Sequence, residues 1–298
     1  MMTSPQHRKG RPTLGFFLRD LEASYMQHVW LGVIEGVRKH DANLLCFKGG
    51  DVAPATQSTR RSANIVYSLA KAYKLDGIVV MGVIGAALEI EEFRQFCDSY
   101  HPLPVITIGT QVPGVPNVGV DNISGIYDAM QHLIEHHGYQ RIGFIKGPEG
   151  NYEADLRYQA YAEALSTHGI ALDPALVLPA DFRYSTGKRV VEYLFSKGDP
   201  HLEALVAAND LSALGALDAF FEMGVRVPYD VALVGFDDIQ ETRNVSPPLT
   251  TIRQPKRELG MRAVEHLLAL IAGERVPEND VLPTTLVTRQ SCGCMEPV

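Results

Sequence analysis

Cysteine is scarce in this chain, with four residues, Cys46, Cys97, Cys292 and Cys294, among 298. So few thiols make no disulfide framework, and thiols inside the cell are normally reduced. Only Cys292 and Cys294 stand close together. A structural zinc site takes four ligands and no neighbouring Cys/His partner pair is evident, so the pair is expected to lie in an inert or loosely exposed tail. Basic residues are also in deficit, 27 Lys and Arg against 35 Asp and Glu for a formal charge of -8. This excludes a general electrostatic attraction for nucleic acid, which rests on cations neutralising phosphates. His7 to Arg11 is the one basic run and reads as a disordered tail. No stretch near the polar N-terminus has signal-peptide form, and no apolar run approaches the roughly twenty residues that span a bilayer. The expected location is cytoplasmic, with no membrane partner.

Catalytic signatures are missing too. Ser185 and Ser246 lack the Gly-x-Ser-x-Gly context of a nucleophile elbow. Gly147 to Gly150 and Gly82 to Gly85 fit neither a phosphate loop nor a dinucleotide fingerprint. His132, His136 and His137 end a helix, where the dipole favours cations, and no carboxylate has ligand spacing to them. The expectation is therefore no catalytic residue, no cofactor, no metal and no enzyme.

What is present is a core-forming chain, 46% hydrophobic, in which short apolar runs alternate with helical patterns. Strands are expected at Leu14 to Leu18, Asn43 to Phe47, Gly77 to Met81, Val105 to Ile108, Arg141 to Ile145, Ala204 to Ala207 and Val231 to Val234. Amphipathic helices fall between them, as at Tyr25 to Lys39, where Val29, Val33 and Val37 recur at helical spacing. This alternation is the signature of βαβ units and a parallel sheet, and it splits near Asp121 into two similar halves. Pro247 and Pro248 cannot join a central strand and disfavour helix before them, so the segment after them reads as a connection.

The most informative stretch is Val231 to Ile239, a continuous apolar run ending in Asp237 and Asp238. Strands buried on both faces read this way, and open α/β sheets hold ligands just past such strand ends. Asp237 thus stands where a polar small molecule would be held.

Together with Ser246-Pro-Pro-Leu-Thr-Thr-Ile252, this stretch resembles the effector-binding core of the LacI/GalR family of bacterial transcription regulators, whose fold is shared with periplasmic sugar-binding proteins. The resemblance runs from about Thr13 to Gln290. It includes Val120-Asp121-Asn122, Gly147-Pro148 followed by Arg157, Asp181-Phe182, and Ala208-Asn209-Asp210 with Gly215. It implies two Rossmann-like lobes joined by three crossovers, as in type I periplasmic binding proteins. The N-terminal lobe takes residues 13–120 and 253–281, the C-terminal lobe 121–252 and 282–291, with flexible tails at 1–12 and 292–298. A small polar effector, most simply a sugar, is then expected in the cleft between lobes.

The resemblance also nominates side chains. Asp237 accepts hydrogen bonds from ligand hydroxyls, Arg157 offers its planar fork of donors, and Asp121 touches ligand at the crossover while Asn122 caps the next helix. Asn151 and Glu153 occupy the loop before the helix of Arg157. Asn209 contacts ligand while Asp210 caps, Phe182 is a stacking platform, Tyr25 flanks the first loop of the other lobe, and Asp238 is structural.

Regulators of this family begin with a DNA-binding helix-turn-helix and a hinge helix, whereas only Met1 to Pro12 precede the first expected strand. The expected function is the small-molecule sensing domain of a LacI-type regulator, pairing as a homodimer and not binding DNA by itself. Two alternatives stand beside it: the input module of a larger signalling protein whose output follows residue 298, and an exported solute-binding protein.

Overall fold

The computed structural model describes residues 10–294 apart from 20, 22, 23, 53–60, 87 and 199. His7 to Lys9 of the basic run, and residues 295–298 of the expected tail, lie outside the described residues. The chain forms two compact units, Met1–Gly119 with Lys256–Asp280 and Val120–Pro255 with Val281–Val298.

The first unit is built on a six-stranded sheet in the order β11-β5-β4-β3-β1-β2. Its strands are β1 (Thr13–Leu18), β2 (Asn43–Lys48), β3 (Gly77–Met81), β4 (Val105–Ile108), β5 (Asn117–Val120) and β11 (Asn279–Leu282). From β1 the chain goes first to β2 on one side, then to β3 on the other, both parallel to it. Reversal of winding direction at β1 makes a switch point between β1 and β3. Helix α1 (Ser24–Lys39) crosses α8 (Lys256–Ile271) closely. A side chain at Gly32 would run into the Arg257 backbone, and one at Gly260 into that of Val29 and Val33.

The second unit repeats the scheme in the order β12-β10-β9-β8-β6-β7. Its strands are β6 (Ile142–Ile145), β7 (Val177–Leu178), β8 (Ala204–Ala207), β9 (Ala232–Asp237), β10 (Thr250–Arg253) and β12 (Thr285–Val287). All pairings are parallel except β10 with β12. Every residue of β6, β8 and β9 is buried, which is why they read as unbroken apolar runs. Here too the winding reverses, at β6, with its switch point between β6 and β8. Helices α6 (Tyr184–Ser196) and α7 (Asp210–Glu222) meet through a second glycine pair, Gly187 against the Ser212 backbone and Gly215 against that of Tyr184.

One expectation is overturned. Thr250–Arg253 is not a connection but a strand between β9 and β12. Pro247 and Pro248 end before the ladder begins, so no missing N–H falls within it; Thr250 N–H, the first needed, is taken by Ser291 Oγ at 2.8 Å.

Candidate functional site

The switch point of the second unit lies past the C-terminal ends of β6 and β8, and most of the nominated residues gather there. After β6 the chain enters α5 (Tyr152–Thr167), capped by Asn151, whose side chain accepts from Ala154 N–H at 3.0 Å. Glu153 is therefore in the first helical turn rather than in a loop. One turn on, Arg157 is buried, 3% exposed. Its Nε donates to Asn122 Oδ1 and its Nη1 to the Ala208 carbonyl, both at 2.7 Å. The guanidinium lies 3.8 Å over the Phe236 ring and 6.0 Å from that of Phe182, with Glu153 3.7 Å away. A desolvated cation over an aromatic face gains about 2 kcal/mol, and the two charge-assisted hydrogen bonds fix the plane of the fork.

Helix α4 (Asn122–Gln131) is capped by Asp121, which accepts from Ser124 N–H at 2.9 Å. The cap is thus Asp121 and not Asn122; Asn122, buried, turns inward to hold Arg157. The same exchange occurs after β8. Asn209 caps α7, accepting from Ser212 N–H at 3.1 Å, and its amide Nδ2 donates to the Phe182 carbonyl at 3.0 Å. Asp210, expected as the cap, is fully buried and accepts from Thr251 Oγ1 at 2.6 Å and Ile239 N–H at 2.9 Å. In both places the residue just past the strand still has non-helical backbone and can cap, while the next is already helical and faces the core.

Asp210 thereby anchors the end of β9, where Asp237 and Asp238 have φ of 130° and 51°. Non-glycine residues in this region cost about 1–3 kcal/mol each and gather at functional sites. Asp237 is buried and its Oδ1 accepts from Gln254 Nε2 at 2.6 Å. Phe182 is a third such residue, φ 65°, its ring filling the space beside Gly147 where any Cβ would overlap it.

Asp238 carries a cluster of its own. Arg289 Nη2, Arg253 Nε and Arg243 Nη2 approach its carboxylate at 2.5, 2.7 and 3.1 Å. Burial alone would raise this carboxyl, but the three guanidinium groups, Arg289 foremost, hold it well below the usual carboxylate range. Arg253 and Arg289 gave no sequence signal of this partnership, since neither neighbours Asp238 in the chain.

Tyr25 belongs to the first unit, in the opening turn of α1 beyond β1, at that unit's own switch point. The concavity of about 360 Å³ lined by Arg141, Asp173, His201 and Glu203 lies at the amino ends of β6 and β8, the wrong end of a parallel sheet for a ligand.

A second group of residues departs from expectation. Cys292 and Cys294 are buried, not in an exposed tail, and the structure does supply them a partner pair, His132 and His137. Burial, with His137 and His136 alongside, lowers His132 to about 4, so it is not the dipole-favoured cation its helix-end position suggests.

Residues 130–292 match the model of a periplasmic binding protein-like domain. The HTH-type transcriptional repressor CytR of Escherichia coli is 32% identical over 230 residues, 76% of this chain and 64% of its own length. The HTH-type transcriptional regulator CelR of Thermobifida fusca is 38% identical over 185 residues, 62% of this chain and 54% of the regulator. The chain therefore spans less than two thirds of such relatives. Among solved structures, a CelR–cellobiose complex superposes with a TM-score of 0.81 at 28% identity, covering 94% of this chain and 85% of the other. Among the described residues no helix is long and apolar enough to cross a membrane. With two mainly parallel sheets wound alike and regulators as relatives, the chain belongs to the periplasmic binding protein-like family as a LacI-type effector-binding domain.

Proposed function

We propose that this chain is the small-molecule sensing domain of a LacI-type transcriptional regulator working in the cytoplasm, that it performs no catalysis, and that a sugar or similar polyol is held beyond β6, β8 and β9. The observation carrying this reading is Arg157. Two of its five N–H groups are used by Asn122 and Ala208, and its buried plane is fixed by Phe236, a posture suited to presenting the remaining donors to ligand oxygens. Asp237 supplies an acceptor at the neighbouring strand end, and the Phe182 ring an apolar face of the kind that packs on sugar rings. Asp121 and Asn151, both helix caps, and Glu153 complete this side; Tyr25 occupies the equivalent place in the first unit. The cellobiose complex of the related CelR supports a sugar over other classes.

A homodimer is part of the same proposal. Ile65, Leu69 and Tyr73, four residues apart along and just beyond α2 (Arg61–Leu69), are 57%, 49% and 56% exposed, an apolar stripe that suits a second copy. DNA binding is assigned to a separate segment of the whole regulator.

The test is a calorimetric and thermal-shift series with monosaccharides, cellobiose and nucleosides. Ligand at a hundred times its Kd should stabilise the chain by about 2.7 kcal/mol, and Asp237→Ala and Arg157→Ala should abolish the response while the variants remain folded. Undiminished affinity in both variants would refute the site.

A further inference from the structure

Four side chains that no effector reading uses converge on one point beneath the second sheet. They are His132, His137, Cys292 and Cys294, whose ligand atoms all lie within 4.8 Å of one another. The Nε2 atoms of His132 and His137 are 3.2 Å apart. Cys292 Sγ is 3.6 Å from His132 Nε2, and Cys294 Sγ is 3.5 Å from both imidazole nitrogens. Tetrahedral zinc, with Zn–S of about 2.3 Å and Zn–N of about 2.0 Å, requires edges of roughly 3.3 Å between nitrogens and roughly 3.5 Å between nitrogen and sulfur. These four edges agree with both to within about 0.1 Å, and the other two, from Cys292 Sγ to His137 Nε2 and to Cys294 Sγ, stay within 4.8 Å.

Local structure explains how the four meet. Helix α4 passes at His132–His136 into a π turn, whose wider i to i+5 winding brings residues five apart toward the same side. His132 and His137 would diverge on an α-helix; here they face the same way. Gly293 has φ 106° and lets the chain double back between the two cysteines, and a Cβ at this position would crowd His137 at 3.2 Å. The cysteines are buried, 0% and 7% exposed, and free, among Met130, Leu133 and Tyr139. The His-x4-His spacing is usual for structural zinc, while Cys-x-Cys is shorter than usual and depends on Gly293.

We infer that His132, His137, Cys292 and Cys294 form a closed structural site for a thiophilic divalent cation, Zn²⁺ by preference, that ties the end of the domain to helix α4. Four protein ligands leave no open position, so the site is structural and not catalytic. Two thiolates with two imidazoles select zinc over magnesium or calcium. Both cysteines lose their protons to solvent on binding, and no redox change occurs.

The experiment uses the whole chain, purified without chelator and dialysed, with metal measured by plasma mass spectrometry. One zinc per chain is expected, together with a thermal midpoint that falls on chelation and recovers with Zn²⁺ alone. Cys292→Ser and Cys294→Ser should lose the bound equivalent, whereas Cys46→Ala, removing an exposed thiol, should keep it. Because the serine variants could unfold, cobalt is also titrated into the chelated wild type. Intense visible bands of tetrahedral Co²⁺ with a near-ultraviolet thiolate charge-transfer band are expected. Absence of both metal retention and these bands, or a disulfide between Cys292 and Cys294 in chain purified under reducing conditions, would overturn the site. So would bands that vanish in Cys46→Ala.

Discussion

Asn122 Oδ1 accepts the Nε–H of Arg157 at 2.7 Å in a buried setting, so the first residue of α4 sets the orientation of the guanidinium that begins one turn into α5. Asn122→Ala leaves a buried charged donor without its partner, a loss of about 1–3 kcal/mol, and releases the fork to rotate over Phe236. Urea denaturation should show that destabilisation, and ligand titration a weaker affinity. Asn122→Asp, which keeps the acceptor, should retain most of the affinity. Equal affinity in wild type and Asn122→Ala would show that Arg157 needs no such support.

The strand end bearing Asp237 rests on Asp210. Gly235 lies against it so closely that a Cβ would overlap Asp210 Oδ1, and Thr251 Oγ1 donates to the same oxygen at 2.6 Å. Gly235→Ala should cost about 1–3 kcal/mol through overpacking, and Thr251→Val about 1.5–3 kcal/mol through loss of a hydrogen bond to a charged group. Chemical denaturation of both variants checks this; wild-type stability in Gly235→Ala would mean that Asp210 is free to move aside.

Asp238 predicts the acid limb of the stability curve. Its folded carboxyl ionises well below the ordinary value because Arg289, Arg253 and Arg243 overcome the effect of burial. A depressed carboxyl contributes stability that is complete above the unfolded value of about 3.9 and is lost as pH falls through the lower folded one. Wild type should therefore weaken as pH drops below about 4, and Asp238→Asn should lose part of that dependence while being less stable near neutrality. Parallel acid limbs for the two proteins would contradict the assignment.

Which of these features the sequence discloses follows from how local their causes are. β9 was legible as Val231 to Val234 because burial on both faces leaves an unbroken apolar run, and β1, β3, β4, β6 and β8 followed likewise, whereas the short β5 (Asn117–Val120) and β7 (Val177–Leu178) were not among the expected strands. β10 was not, because Pro247 and Pro248 mask a strand whose ladder begins just beyond them. The caps were legible as pairs, Asp121 with Asn122 and Asn209 with Asp210, but not in their division of labour. That division depends on which residue is still outside the helix and which faces a partner far along the chain, as Asp210 faces Thr251. The cluster of His132, His137, Cys292 and Cys294 was hidden for the same reason, since some 160 residues separate its halves and the π turn aligning the histidines leaves no periodic trace.

Asn209 allows capping and ligand positioning to be separated. Its Oδ1 caps α7 through Ser212 N–H, and its Nδ2 holds the carbonyl of Phe182, a residue at φ 65°. Asn209→Ala removes both and should cost about 1–2 kcal/mol through the cap alone. Asn209→Asp keeps the capping oxygen and places negative charge at a helix N-terminus, so its stability should stay within about 1 kcal/mol of wild type. The aspartate cannot donate to the Phe182 carbonyl, however, and its charge repels that oxygen. Freed from this restraint, the Phe182 backbone should relax from its left-handed conformation and carry the ring away from Gly147. Asn209→Asp should then lose ligand affinity at nearly wild-type stability, a separation that denaturation and calorimetric titration resolve together. Loss of stability and affinity in proportion in both variants would reduce Asn209 to a helix cap.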